Sequence, residues 1–251
     1  KLQFSLDGEQ GEIKFKLDRN KAMGHSIKLS IDKKIELDGR NITIKSLMAS
    51  PTSTVIKGQI QNIVELGIDY IKEEGFRPSN IEIQLIADGE VIETKGGSIG
   101  TSNKGSNFET RYDALPEDTK KVELKLTEFG ANHNTKELVQ IIKDESKEFK
   151  ILDKDIRIDR VYEEKGKTYI TITTEEGLLL SRVYLNIDGE RKREMNTIPG
   201  ELNKIIDGDA VRIQYTRTME FEGMGDELEL DIQRIQYEKE YDKIIYTYEI
   251  K

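Results

Sequence analysis

Ile81-Glu82-Ile83-Gln84-Leu85-Ile86-Ala87-Asp88-Gly89-Glu90 is the stretch whose reading decides the fold. Ile81, Ile83 and Leu85 alternate with polar residues, the period of a strand with one face on a core. The run then ends on Asp-Gly, which supplies the positive backbone angles of a tight hairpin turn. Further along, Val183 to Ile187 reads as strand and closes on the same tripeptide, Asp188-Gly189-Glu190. The two turns are 100 residues apart (188 − 88), so the chain carries an internal repeat.

Working outward, the same alternation recurs almost everywhere. Ile13, Phe15 and Leu17; Ile27, Leu29 and Ile31; Ile42 and Ile44; Val55 and Ile56; and Val122, Leu124 and Leu126 all read as strand. So do Ile156 and Ile158, Tyr169 to Ile172, Leu228 to Ile232, and Ile244 to Ile250. One segment, Asn62 to Glu74, reads as helix, with Ile63, Leu66 and Tyr70 on one face and Gly75 as its terminator. Many short strands punctuated by turns imply an all-β chain built as sandwiches or barrels.

The halves superimpose as sequence. Ile35, Leu37, Ile42, Ile44 and Val55 match Phe149, Ile151, Ile156, Ile158 and Tyr169 at an offset of 114 (156 − 42). Beyond the turns, Val122, Leu124 and Leu126 are matched to Val211, Ile213 and Tyr215, at 89 (211 − 122). The shrinking offset makes the helix and the glycine-rich Gly96 to Ser106 two insertions in the first copy. The expected organisation is residues 1–32 as terminal strands of a preceding β-domain, then immunoglobulin-like sandwiches at 33–143 and 144–251. The antibody hallmarks, a cysteine pair and a tryptophan, are missing.

Composition narrows function. Of 251 residues, 48 are Asp or Glu and 39 Lys or Arg, a net charge of −9. A nucleic-acid partner is therefore not expected, since it demands a basic footprint. With no cysteine, disulfides, thiol nucleophiles and thiolate metal sites are excluded. No apolar run reaches the ~20 residues of a membrane helix. The chain opens on Lys1 with neither Met nor a signal peptide, and reads as an excised fragment.

Several stretches resemble one family. They are Phe15-Lys16-Leu17-Asp18-Arg19-Asn20-Lys21-Ala22, Lys34-Ile35-Glu36-Leu37-Asp38-Gly39-Arg40-Asn41-Ile42-Thr43-Ile44, Ser50-Pro51-Thr52-Ser53-Thr54, and Leu115-Pro116-Glu117-Asp118-Thr119-Lys120-Lys121-Val122. They are similar to membrane-anchored surface proteins of low-GC Gram-positive bacteria, which carry paired domains of unknown function (numbered four-one-seven-nine and five-six-four-three). The resemblance implies a non-catalytic, extracytoplasmic, immunoglobulin-like region, anchored by an N-terminal membrane helix outside this chain. It also implies a sensor, spacer or protein-interaction role, with anti-sigma-factor-like coupling. The motifs are structural, and no family active site carries over.

Residue patterns with chemical meaning have plain readings. Gly96-Gly97-Ser98-Ile99-Gly100 matches the string of a nucleophile elbow, but Thr101-Ser102-Asn103-Lys104-Gly105-Ser106 follows, a loop composition rather than a helix start. His25 and His133 have no partner at metal-ligand spacing and read as surface residues. The acidic run Glu220, Glu222, Asp226, Glu227, Glu229 and Asp231 lacks calcium-loop spacing and reads as a solvated strand face. Arg191-Lys192-Arg193 reads as a charged hairpin tip. Tyr237, Tyr241, Tyr246 and Tyr248 could offer sugar-stacking faces, though Tyr246 and Tyr248 share the parity of Ile244 and Ile250, a core pattern.

No catalytic residue, cofactor or metal is therefore expected. The partner is an unidentified protein or cell-wall ligand, and the alternative function is a cell-wall carbohydrate-binding module. A hydrolase would have to draw on His25, His133 or Ser98. The expected contact surface lies on the two insertions: Gly96, Gly97, Ser98, Asn103 and Lys104 on one, Tyr70 on the other.

Overall fold

In the computed structural model, residues 2–6, 9–14, 26–207 and 210–250 are described. The first strands are β1 (Leu2–Leu6), β2 (Glu9–Ile13), β3 (Ile27–Leu37), β4 (Arg40–Ser50) and β5 (Ser53–Gln61). The helix α1 (Ile63–Lys72) follows, then β6 (Arg77–Ala87), β7 (Glu90–Ile92), β8 (Thr94–Ser102), β9 (Gly105–Tyr112) and β10 (Lys121–Ile141). The remainder is β11 (Lys147–Ile151), β12 (Lys154–Glu164), β13 (Lys167–Glu175), β14 (Leu178–Ile187), β15 (Glu190–Asp207), β16 (Ala210–Glu222) and β17 (Leu228–Glu249). The described residues are all-β with one short helix, and the sandwich architecture expected from the alternation is the one observed.

The chain divides into two compact units. Unit 1 comprises Lys1–Asn62, Ile83–Leu126 and Asp242–Lys251; unit 2 comprises Ile63–Glu82 and Thr127–Tyr241. Residue 32 lies inside β3, whose Ile27 to Ser30 pair with Ala49 to Ser46 of β4, so no strand break falls there. The helix, read from sequence as an insertion of the first copy, groups with unit 2.

In unit 1 one sheet has the order β3-β4-β5-β9-β8, and the other draws on β17, β10, β6 and β7. Ile42, Ile44, Leu47, Ile56, Leu85, Phe108 and Leu124 are fully or almost fully buried. The buried parity of β4 switches between Ile44 and Leu47, because a bulge interrupts the β4–β5 ladder between Ile44 and Ser46. The Tyr112 hydroxyl of β9 donates to the Ile83 carbonyl of β6, joining the two sheets through the core.

Unit 2 repeats the plan. Its first sheet is β11-β12-β13-β16-β15. β15 pairs with β14 over Glu190 to Arg193 and with β16 from Glu194 onward, so it passes from one sheet to the other. The equivalent bulge in β12 falls between Ile158 and Arg160, again where the buried parity changes, from Ile158 to Val161.

The two Asp-Gly turns fix the rest of the equivalence. Asp88 and Gly89 have φ of 49° and 92°, and Asp188 and Gly189 have 49° and 83°, which is why this dipeptide stands at both tips. Asp88 N–H donates to Lys121 O at 2.9 Å, and Asp188 N–H donates to Glu227 O at 2.9 Å. Each Asp carboxylate in turn accepts from two consecutive backbone amides: Lys120 and Lys121 for Asp88, Asp226 and Glu227 for Asp188. The strand of Val122, Leu124 and Leu126 therefore corresponds to Leu228, Leu230 and Ile232, at 106 (227 − 121), and not to Val211, Ile213 and Tyr215. The latter lie on β16, which pairs with β13 and β15 as β9 pairs with β5 and β8. Alternating strands look alike in sequence; their pairing partners distinguish them.

Candidate contact surface

The helix has an unusual face. Its buried residue is Asp69, while Ile63 (54% exposed), Val64 (66%), Ile68 (44%), Tyr70 (87%) and Ile71 (80%) stand in solvent. A surface helix ordinarily buries its apolar stripe and presents its charges. The C-terminal end is held by β10. Asn134 N–H donates to Glu74 O at 2.8 Å, Asn134 Nδ2 donates to Glu73 O at 3.2 Å, and Lys136 Nζ lies 2.8 Å from the Glu73 carboxylate. That ammonium holds Glu73 below the usual carboxylate range. The helix is thus held at its C-terminal end, with Asp69 inward and the apolar side outward.

The glycine-rich segment is a strand rather than a loop. Gly96 pairs with Arg111, Gly97 with Thr110, Ser98 with Glu109 and Ile99 with Phe108 of β9. Sequence composition reads this stretch as loop because glycine has low strand propensity; the ladder to β9 overrides it. β8 ends its sheet, and its side chains are exposed except for half-buried Ile99. Asn103 and Lys104 form the hairpin tip, where Lys104 N–H donates to Ser102 Oγ at 3.2 Å and Lys104 O accepts from Gln59 Nε2 at 3.0 Å. Ser98 sits mid-strand with no helix after it, so the nucleophile-elbow geometry is not formed there. The expected surface falls into two parts, the β8–β9 hairpin in unit 1 and Tyr70 in unit 2.

The remaining candidates are engaged in the fold. His133 is half-buried rather than superficial, with Nδ1 2.7 Å from Asn134 O and its ring edge-on to Phe76 at 6.4 Å. His25, Phe15 and Leu17 lie outside the described residues. In the acidic run, Asp231 is buried against Arg191 at 2.6 Å, Glu220 pairs with Lys167, and Glu229 accepts from Gln140 and Asn186. Among the described residues no group of acidic or histidine side chains is arranged to hold a metal ion. Of the basic tripeptide, Arg191 also stacks over Tyr184 at 3.8 Å and Lys192 pairs with Glu190 at 2.7 Å. Tyr237 is buried, and Tyr241, Tyr246 and Tyr248 are half-buried, a poor platform for stacking a sugar. The core residue near the C-terminus is Ile245 rather than Ile244, which is exposed.

Two further features escape sequence inspection. A cleft of about 190 Å³ in unit 1 is lined by Ile27, Pro51, Leu115, Pro116, Glu117 and Ile250. It gathers two of the stretches that carry the family resemblance, yet is smaller than the ~300–1,000 Å³ of ordinary small-molecule sites. In unit 2, burial and the nearby Arg182 and Arg77 pull the Arg234 guanidinium below its ordinary pKa.

The class defined by fold and surface is an all-β sandwich protein with an outward apolar helix face among its described residues. No family model matches the chain, and no curated protein matches its sequence. Among solved structures it is similar to the conserved domain protein from Bacillus anthracis, at 10% identity over 83% of this chain and 75% of that one, with a TM-score of 0.27.

Proposed function

We propose that this chain is a non-catalytic, extracytoplasmic, immunoglobulin-like region of a membrane-anchored bacterial protein, acting as a protein-interaction module with spacer or sensor duty. The observation that carries the reading is the outward apolar face of α1, whose C-terminal end is held by β10. Contiguous exposed apolar surface marks association rather than chemistry. The resemblance of the Lys34 to Ile44 and Leu115 to Val122 stretches supplies the surface location and the anti-sigma-type coupling.

The test is protease shaving of intact host cells expressing the full gene, read with an antibody to this region. Loss of signal from intact cells is expected. Protection until lysis would overturn the reading. Saturable binding to purified wall glycans would favour the carbohydrate-module alternative instead.

A further inference from the structure

We infer that the outer edge of β8 is a strand-pairing site, on which a second copy of this chain lays its own β8 antiparallel. This deepens the interaction-module reading by naming a partner, and rests on that reading for its role. β8 ends the five-stranded sheet of unit 1. Its hairpin with β9 closes on the pair Ser102–Gly105, and in the next pair the Thr101 and Ser106 hydroxyls lie 2.9 Å apart. A two-residue connection makes its closing pair the hydrogen-bonded one, and the alternation of the ladder fixes the rest. Ser98, Gly100 and Ser102 direct their backbone groups to β9. Gly97, Ile99 and Thr101 aim theirs away from it. Each therefore offers one N–H and one C=O to a further strand, and no described strand lies there.

The other ends of the two large sheets are guarded in the ways natural edges are. β7 has three residues and β11 five. β3 is bulged between Ser30 and Lys33 and carries Lys28, Lys33 and Lys34. The counterpart of β8 in unit 2 is the later part of β15. It contains Pro199 and breaks register between Glu194 and Asn196 and again between Pro199 and Leu202. From Gly97 to Ser102, β8 has no proline, no charge and no break.

The edge is complementary to itself. With a twofold axis at Ile99, Ile99 exchanges both backbone bonds with the partner's Ile99, and Gly97 does so with the partner's Thr101. Ile99 is the one large apolar side chain of this run. It stands beside buried Phe108 and is itself only half-buried. Two such side chains facing each other across the new ladder cover one another at the rim of the core. The charges at the ends also match. Lys104 at the hairpin tip falls beside the partner's Glu93 and Thr94. Glu93 and Asp113 share a single ammonium, that of Lys95, at 3.1 Å from each, so this end accepts a second cation. Pairing β8 onto β3 of another copy would instead run through the bulge and lysines of β3.

The experiment is sedimentation velocity on the full chain from micromolar to millimolar concentration, with amide exchange followed by NMR over the same series. A reversible shift from the 28.8 kDa monomer toward twice that mass is expected. The amides of Gly97, Ile99 and Thr101 should gain protection as the dimer forms, while those of Ser98 and Gly100 are protected throughout. Ile99→Lys places an inward-pointing charge on the edge and should raise the dimer Kd at least about tenfold. Thr101→Pro removes an outward N–H that the monomer's ladder does not use, and should weaken the dimer likewise. Urea midpoints measured at the dilute end check that each variant is folded.

Monomer at every concentration overturns the inference. So does a dimer in which Gly97, Ile99 and Thr101 gain no protection, or one that the folded variants leave at full strength. The solution result is independent of the shaving result. A monomer leaves the surface-module reading standing, and protease protection in cells leaves the dimer standing.

Discussion

Thr54 and Thr168 occupy equivalent places in the two units (168 − 54 = 114), and both are fully buried. Thr54 pairs with Tyr112 across the β5–β9 ladder, as Thr168 pairs with Phe221 across β13–β16. Their hydroxyls differ. Thr168 Oγ1 donates to Gly223 O at 2.8 Å, whereas Thr54 Oγ1 is buried without a hydrogen-bond partner. Valine keeps the shape of threonine and replaces the hydroxyl by a methyl. An unbonded hydroxyl in an apolar site costs about 1–3 kcal/mol, so Thr54→Val should stabilise the chain by about 1 kcal/mol or more. Thr168→Val removes a bond worth about 1 kcal/mol net and deprives a carbonyl of its donor, for a loss of about 1–2 kcal/mol. One substitution at equivalent positions should therefore act with opposite sign. Urea unfolding followed by far-UV circular dichroism and tyrosine fluorescence reads it as opposite midpoint shifts at constant slope. Equal destabilisation by both variants would refute the reasoning, since it would mean that Thr54 has a partner worth as much as Gly223 O.

Asp188→Ala should cost about 2–4 kcal/mol, combining loss of the Asp side chain that eases the left-handed backbone with two lost amide bonds, while Asp188→Asn should cost under ~1 kcal/mol. Amide hydrogen exchange at Asp226 and Glu227 should rise in the alanine variant only; no rise in the alanine variant would show that the Asp188 side chain is not the cap. Tyr112→Phe removes the donor to Ile83 O between the sheets of unit 1 and should lower stability by about 1–3 kcal/mol, measured as a denaturation midpoint. Burial, opposed by a hydrogen bond from Asn80 and reinforced by Glu82, Glu238 and Glu240, raises the Glu128 carboxyl above its usual range. The folded chain then holds that proton more tightly than the unfolded chain, so its contribution is greatest below the unfolded pKa and is lost as pH rises through the folded one. Glu128→Gln should leave stability near pH ~4 almost unchanged and raise it at neutral pH; a loss at neutral pH would contradict the assignment.

Much of this fold could be read locally. The switch of apolar parity from Ile42 and Ile44 to Leu47 and Ala49 is visible in the chain, and it marks the bulge that the β4–β5 ladder contains. The same switch from Ile156 and Ile158 to Val161 marks its counterpart in β12. Both Asp-Gly turns fell where their dihedral preference put them. The helix was legible from its spacing, but its orientation was not. Ile63, Leu66 and Tyr70 share a face by periodicity, yet Ile63 and Tyr70 stand in solvent and Asp69 is the one buried. The available signal was an excess: Ile63, Val64, Leu66, Ile68 and Ile71 are more apolar residues than one buried stripe of ten residues requires.

The sequence by itself determined where strands run, where they turn, where a bulge shifts their parity and where the helix begins and ends. Each of these depends on neighbours within a few residues, through side-chain alternation and backbone sterics. Tertiary structure alone decided that Gly96 to Ser102 is an edge strand, that β10 corresponds to β17, and that α1 turns its apolar face outward. Those outcomes depend on partners far along the chain, as Thr168 depends on Phe221 and Asp188 on Glu227. Backbone hydrogen bonds to such partners carry no side-chain signature, so a strand's pattern announces that it will pair without naming its mate.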